Sequence, residues 1–156
     1  MDKTTGRYRA LVYILALAIF MIGGSVFAKD DKISPKEAGV YVKTNKGLNR
    51  LLPNIVFTND DRIFYIESNN PAHFLLKDVE YFVFFGKYEF KVLTLNPMVF
   101  FQASPIGRPS FMFGKDIDFE IKQTGTDLYT VKPKGLLGRG YYSLWINDVV
   151  WDFVLD

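Results

Sequence analysis

The chain has 156 residues, with 19 basic and 17 acidic side chains, one histidine and no cysteine. This length suffices for one domain with one hydrophobic core, which must be stable without disulfides. One histidine and no cysteine argue against a zinc site, and no glycine-rich phosphate loop or dinucleotide motif occurs, so we expect no cofactor.

Residues 1–28 have the organisation of a secretory signal peptide. Three basic residues before position 10 are followed by an apolar stretch, residues 10–22, and then by small residues up to Ala28. We predict a signal helix that is cleaved after Ala28, which would export the protein to the periplasm or the medium. An uncleaved membrane anchor is the alternative, because residues 10–28 carry no charge and are long enough to span a bilayer.

The excess positive charge of the chain belongs to this leader. Residues 1–28 hold three of the 19 basic residues and one of the 17 acidic residues, which leaves 16 of each in residues 29–156. The remaining lysines and arginines are scattered, whereas a nucleic-acid partner requires a clustered basic face. We therefore exclude nucleic acid as a partner, and we expect membrane contact only if the leader is retained.

Residues 29–37 are charged and are predicted to form a flexible lead-in to a single β-domain, residues 38–156. Apolar and polar side chains alternate there in short stretches separated by turn residues, and no helical periodicity of useful length follows residue 28. We predict an all-β, antiparallel sandwich of about seven to nine strands. The clearest strands cover residues 39–43, 62–67, 98–102, 116–122, 128–132, 141–146 and 149–155.

Residues 78–95 are the most apolar part of the chain after the leader. Residues 79–85 alternate, with Phe82 and Phe84 on one face and further apolar side chains on the other. A strand that is apolar on both faces is typical of a covered central position. If Phe82 and Phe84 instead face solvent, they form a partner-binding patch. The alternation resumes over residues 88–92, which favours a further strand.

The loop Ala103–Ser110 contains two prolines and one glycine and is predicted to be ordered. Loops at the ends of sandwiches commonly carry binding residues, and Arg108 would supply a polar contact at the rim of a partner site. A plain connection between two strands is the alternative interpretation.

The last forty residues carry the clearest strand pattern. Residues 116–122 alternate strictly between charged and apolar side chains, which is the period of a half-buried strand. Farther along, Asn147-Asp148 fits a two-residue hairpin loop between two strands, because both residues tolerate positive φ.

The segment Leu136–Tyr142 resembles the corner that leads into strand F of immunoglobulin-like sandwiches. In that corner a tyrosine hydroxyl bonds the nearby backbone and fixes the crossing between the sheets. The resemblance assigns this role to Tyr142, with Leu136 packing beneath it and Gly140 in the bend. The Leu-x-x-Gly-x-Tyr pattern and the following hairpin are also similar to the ends of exported bacterial immunoglobulin-like proteins of uncharacterised function. This likeness implies an immunoglobulin-like fold and no activity.

Residues with catalytic or metal-binding chemistry are few. His73 lies in a predicted loop without a nucleophile motif nearby, and we expect it to be an exposed surface residue. The row Asp116, Asp118 and Glu120 lacks the glycine and the spacing of a calcium loop. It is therefore interpreted as a solvated strand face.

We expect an exported, non-enzymatic module that binds a protein or cell-envelope partner. The alternative is a small exported hydrolase that uses two carboxylates, because the sequence does not show which acids converge in space. Its candidate acids are Asp60, Asp61, Asp78 and Glu80.

Overall fold

The structure, a computed structural model, describes residues 34–68, 70–103 and 108–156. These ranges contain thirteen β-strands and two short 3₁₀ helices and no α-helix, which confirms the all-β prediction for the described chain. The strand number exceeds the predicted seven to nine because several strands have only two to four residues. The predicted leader and most of the lead-in lie outside the described residues.

The strands are numbered in chain order, and residues Pro35–Asp156 form one compact unit. The two 3₁₀ helices are Leu76–Asp78 and Phe90–Val92. None of the described helices is long and apolar enough to span a membrane. The strands are β1 (Gly39–Thr44), β2 (Gly47–Arg50), β3 (Pro53–Ile55), β4 (Phe57–Thr58), β5 (Phe64–Glu67), β6 (Ala72–Phe74), β7 (Val79–Phe85), β8 (Thr94–Ala103), β9 (Pro109–Phe113), β10 (Phe119–Gly125), β11 (Leu128–Pro133), β12 (Gly140–Ile146) and β13 (Val149–Leu155).

The smaller sheet has five antiparallel strands in the order β10-β11-β7-β1-β2. Two hairpins, β1-β2 and β10-β11, flank the apolar strand β7 on its two sides. Strand β7 is buried on both faces around its middle, since Phe82 and Phe84 on one face and Val83 on the other are 0% exposed, which accounts for its two-sided apolar pattern.

The larger sheet follows the order β3-β13-β12-β8-β9-β5-β4. Strands β3 and β6 share one edge of β13: β3 pairs with its first half, and β6 pairs with its second half in the parallel direction. The other pairings in this sheet are antiparallel. The hairpin β12-β13 turns at Asn147-Asp148, with Ile146 opposite Val149, as predicted from the sequence.

The main hydrophobic core lies between the two sheets, as in a sandwich. Phe82 and Phe84 of β7 meet the aromatic residues of β13 there, and the Phe82 and Phe153 ring centroids are 5.0 Å apart. Aromatic pairs at such distances add to the burial of their area. The other buried members are Val40, Val42, Leu51, Leu93, Leu95, Val131, Tyr142, Leu144, Ile146, Trp151 and Leu155.

A second, smaller core lies on the opposite face of the larger sheet. Strand β12 sends alternate residues to the two cores: Tyr142 lies in the main core, whereas Tyr141 and Trp145 pack against the smaller one. Because Ile66 of β5 and Val150 of β13 meet there from strands far apart in the sheet order, the larger sheet must curl towards a barrel. The buried residues of this core are Ile66, Met98 and Val150.

The stretch of residues 88–92 does not continue as a strand. It contains the 3₁₀ helix Phe90–Val92, so the strand prediction for it was wrong. Tyr88 and Phe90 nevertheless turn inwards, with ring centroids 5.3 Å and 5.4 Å from that of Phe84. Alternating aromatic residues can thus reach a core from an irregular connection as well as from a strand.

Candidate functional site

The structure excludes Phe82 and Phe84 as partner-binding anchors. Both side chains are 0% exposed, in the middle of the core between the sheets. The interpretation of these residues as a surface patch was wrong, because their face of β7 is covered by β13 and by the segment around Phe90. The alternative that the sequence left open, a covered central strand, is the one observed.

Tyr142 makes the backbone contact that the resemblance implied. Its hydroxyl donates to the carbonyl oxygen of Gly138 at 3.0 Å and accepts from the Gly138 N–H at 3.2 Å. Gly138 belongs to the segment that leads from β11 in the smaller sheet to β12 in the larger one. Gly140, where β12 begins, has a φ of +155°, a conformation that L side chains rarely adopt.

Leu136 does not pack beneath Tyr142. Its side chain is fully exposed, and its neighbour Leu137 packs against the main core instead. The expected role of Leu136 in the corner was therefore wrong by one position. Two adjacent leucines in a bend point in different directions, and the sequence does not show which of them faces inwards.

Two of the four candidate acids of a hydrolase, Asp78 and Glu80, contact neighbouring side chains, whereas Asp60 and Asp61 are exposed in the turn between β4 and β5. Asp78 accepts from the amide of Asn45 at 3.0 Å and lies 3.8 Å from the Lys46 ammonium, while Glu80 lies 3.5 Å from that of Lys43. Within the described residues, no group of three or more histidine or acidic side chains could hold a metal ion.

His73 and the acidic row also have local roles. His73 is exposed, as expected, but it lies in β6 rather than in a loop, and its Nδ1 is 3.0 Å from an oxygen of Asp156. Asp116 accepts a hydrogen bond from the buried amide of Asn96 at 2.6 Å. Asp116 and Asp118 lie before β10 begins, so the predicted strand starts later than expected.

A buried polar network lies at the smaller core. The Tyr141 hydroxyl donates to Asp152, and the Asn54 amide donates to the other Asp152 oxygen at 3.3 Å. Burial raises the pKa of Asp152 above its ordinary range, against the effect of these hydrogen bonds. Burial and then the contact with Asp152 raise the pKa of Tyr141, so its hydroxyl stays a neutral donor at physiological pH. Both carboxylate oxygens are occupied by protein donors, which suits a structural role.

The outer face of the curled sheet carries an apolar row that crosses four strands. Phe57 of β4 is opposite Tyr65 of β5, Tyr65 is opposite Met112 of β9, and Met112 is opposite Val99 of β8. Phe57 is 39% exposed and Val99 is 44% exposed, while Tyr65 and Met112 are partly exposed. The ring of Phe101 adjoins the row, with its centroid 5.9 Å from that of Tyr65.

A cavity of about 430 Å³ opens at one end of the smaller sheet. Its wall includes the start of β7, the end of β11 and the exposed Leu136, and its floor includes Phe82 of the main core. Most of the side chains that line it are apolar, and Lys77 and Lys132 also line it.

Sequence reasoning missed the apolar row, the Tyr141–Asp152 pair and this cavity. The row crosses strands that are distant in the chain, so only the register places Phe57 and Val99 on one face. A signal for the buried network did exist: Asp152 is the single charged residue within the apolar strand β13. A charge in such a position is rarely buried without a partner.

Comparisons with protein-family models, with curated proteins and with solved structures found no match.

Proposed function

We propose that this protein is an exported, non-enzymatic binding module that contacts a protein partner through the apolar row. The observation that carries the proposal is a continuous set of uncharged, apolar side chains that crosses four strands on a solvent-facing sheet surface. Export rests on the leader sequence described above.

The row belongs to neither hydrophobic core. The interior of the curled sheet is already filled from its other face by Ile66, Met98 and Val150, so the row is an additional apolar surface. Scattered exposed apolar residues are common on soluble proteins, but a contiguous patch marks a site of interaction. Phe, Tyr and Met are enriched at protein interfaces, whereas charged residues are depleted in their centres.

The charge next to the row favours a protein partner over an anionic membrane. The turn between β4 and β5 contains Asp60, Asp61 and Arg62, so acidic residues outnumber basic ones beside Phe57. Peripheral binding to anionic lipid requires clustered basic residues around the apolar surface. A folded protein with an aromatic or aliphatic patch has no such requirement.

Arg108 keeps its proposed role as a polar contact at the rim. It is exposed and immediately precedes β9, which carries Met112. Strand β9 pairs with β8, which carries Val99 and Phe101. Arg108 therefore lies on the same hairpin as Met112 and Val99, two of the four row residues. The neighbouring residues 104–107 of the predicted binding loop lie outside the described residues.

Photo-crosslinking in the producing cells tests the proposal. A photoreactive phenylalanine analogue is placed at Phe57, at Val99 or, as the matched control, at Val92, which is exposed but lies on a 3₁₀ helix outside the row. We expect the same discrete protein adduct from Phe57 and Val99 and none from Val92. Identical adducts from all three positions, or none from either row position, would contradict the proposal. An adduct with twice the mass of the chain would identify a second copy as the partner, and a lipid adduct would identify a membrane.

A further inference from the structure

The cavity at the end of the smaller sheet arises where two paired strands separate. The ladder between β7 and β11 runs from Phe85 opposite Leu128 to Phe82 opposite Val131 and stops there. Strand β11 continues to Pro133 and stays paired with β10 on its other edge, where Pro133 is opposite Phe119. Proline has no N–H to donate to a ladder, which helps to explain why the pairing with β7 ends.

The separated strands leave an apolar cavity that the fold does not fill. Phe82 belongs to its floor, and Leu76, Val79 and Leu137 connect its wall to the main core. Leu136 adds a fully exposed leucine to the lining. The volume of about 430 Å³ lies within the range of sites that bind small molecules.

The side chains that line the cavity carry more positive than negative charge. Lys77 and Lys132 are exposed and form no ion pair within the parts of the chain that the structure describes. The acid of the lining, Glu80, lies 3.5 Å from Lys43 and is partly neutralised by it. Glu120 is opposite Lys132 in the sheet, yet the two do not form an ion pair.

We propose that this cavity binds an amphiphile with a linear apolar chain and an anionic head, such as a fatty acid carboxylate. The apolar chain lies between β7 and β11 against Val79 and Leu136, while the head stays at the solvent-facing edge near Lys77 and Lys132. An ammonium contributes long-range attraction to a carboxylate without requiring a fixed geometry, which suits two flexible lysines at an opening. This site is separate in sequence and in strand from the apolar row.

Isothermal titration calorimetry with decanoate and with decyltrimethylammonium, both below their micellar concentrations, tests the proposal. The protein is used in the form recovered after export. We expect one decanoate to bind per chain, with an affinity at least about tenfold higher than that of the cationic probe. Equal affinity for the two probes, or no saturable decanoate binding, would overturn it.

Charge-reversal variants locate the binding. Lys77→Glu combined with Lys132→Glu should weaken decanoate binding by at least about tenfold and strengthen binding of the cationic probe. The matched control, Lys91→Glu combined with Lys115→Glu, alters two exposed lysines outside the cavity and should change either affinity by less than about threefold. Equal effects of the two pairs would show that net charge, and not the cavity, governs binding.

A variant of the apolar lining provides a second, independent check. Leu136→Asp alters a fully exposed side chain, so the fold should tolerate it, and circular dichroism verifies that it does. We expect weaker decanoate binding, whereas Phe57→Ser with Val99→Ser should leave it unchanged. Unchanged binding in the folded Leu136→Asp variant would place the probe elsewhere. Loss of binding in the Phe57 and Val99 variant would place it on the apolar row.

Discussion

At the scale of single residues, two tyrosines next to each other in β12 have opposite roles. Tyr142 faces the main core and fixes the corner between the sheets, with its ring stacked on Phe153. Tyr141 faces the smaller core and donates to Asp152. Alternation along the strand predicts that the two face opposite ways, and the resemblance at the corner singled out Tyr142. The partner of Tyr141 was not predicted: Asp152 is recognisable as the single charged residue of β13, but its contact with Tyr141 depends on the pairing of β12 with β13.

Replacement of Tyr142 by phenylalanine should lower the free energy of unfolding by about 1 kcal/mol or somewhat more. The change leaves the Gly138 N–H without its acceptor and the Gly138 carbonyl without its donor, while the ring stacked on Phe153 remains. Urea unfolding measures it, with Tyr129→Phe as the control, since the Tyr129 hydroxyl makes no hydrogen bond to the described residues. Equal stability of Tyr142→Phe and wild type would mean that the corner does not depend on this hydroxyl.

Asp152 should make the stability depend on pH. Burial raises its folded-state pKa, whereas an aspartate in the unfolded chain titrates near about pH 3.9. The folded state therefore binds the Asp152 proton more tightly than the unfolded state does. The resulting stabilisation is fully present below about pH 3.9 and is lost as the pH rises through the raised folded-state pKa. The Asp152→Asn variant does not titrate at this position. Its free energy of unfolding should therefore increase relative to that of the wild type as the pH rises through this range. Urea unfolding between about pH 3 and about pH 8 measures the difference. A constant difference, or one of the opposite sign, would show that folding does not raise the pKa of Asp152.

At the scale of elements, most strands with regular alternation or a clear turn were predicted well, although the alternating stretch of residues 116–122 begins before β10, which starts at Phe119. The β12-β13 hairpin was predicted from Asn147-Asp148, and Asn147 has the expected positive φ of 53°. The shortest strands, such as β4 with two residues, have too few positions to show any period. The segment around Phe90 was misassigned because its alternating aromatic residues would face one side in a strand, and the irregular connection with its 3₁₀ helix also directs Tyr88 and Phe90 to one side.

The curl of the larger sheet could not be predicted from any single element. It follows from the pairing of β8 with both β12 and β9, which joins the hairpin β12-β13 to the strands of residues 57–67. Such pairings depend on contacts between distant parts of the chain, which local patterns do not encode. Strands β12 and β13 are apolar on both faces, but the second core that one of these faces fills depends on such distant pairings.

At the scale of the whole molecule, the apolar row lies outside both cores, whereas the cavity adjoins the main core at Phe82. The sequence correctly indicates an excess of aromatic residues, but it left open whether Phe82 and Phe84 of β7 face a partner, and both lie in the main core. Burial depends on the position of a strand in the sheet, and the composition of the strand alone does not determine it. Substitutions in β7 should therefore lower the free energy of unfolding, whereas substitutions in the apolar row should weaken partner binding.

Comparison of these two sets of substitutions tests the proposed partner surface most directly. The measurement combines urea unfolding with the affinity for the partner that crosslinking identifies. Phe57→Ser with Val99→Ser should weaken partner binding by at least about tenfold and change the free energy of unfolding by no more than about 1 kcal/mol. The core variant Phe82→Ala should instead lose about 3–5 kcal/mol of stability. Unchanged partner affinity in the folded row variant, or a loss of stability as large as that of Phe82→Ala, would contradict the assignment of the row as a binding surface.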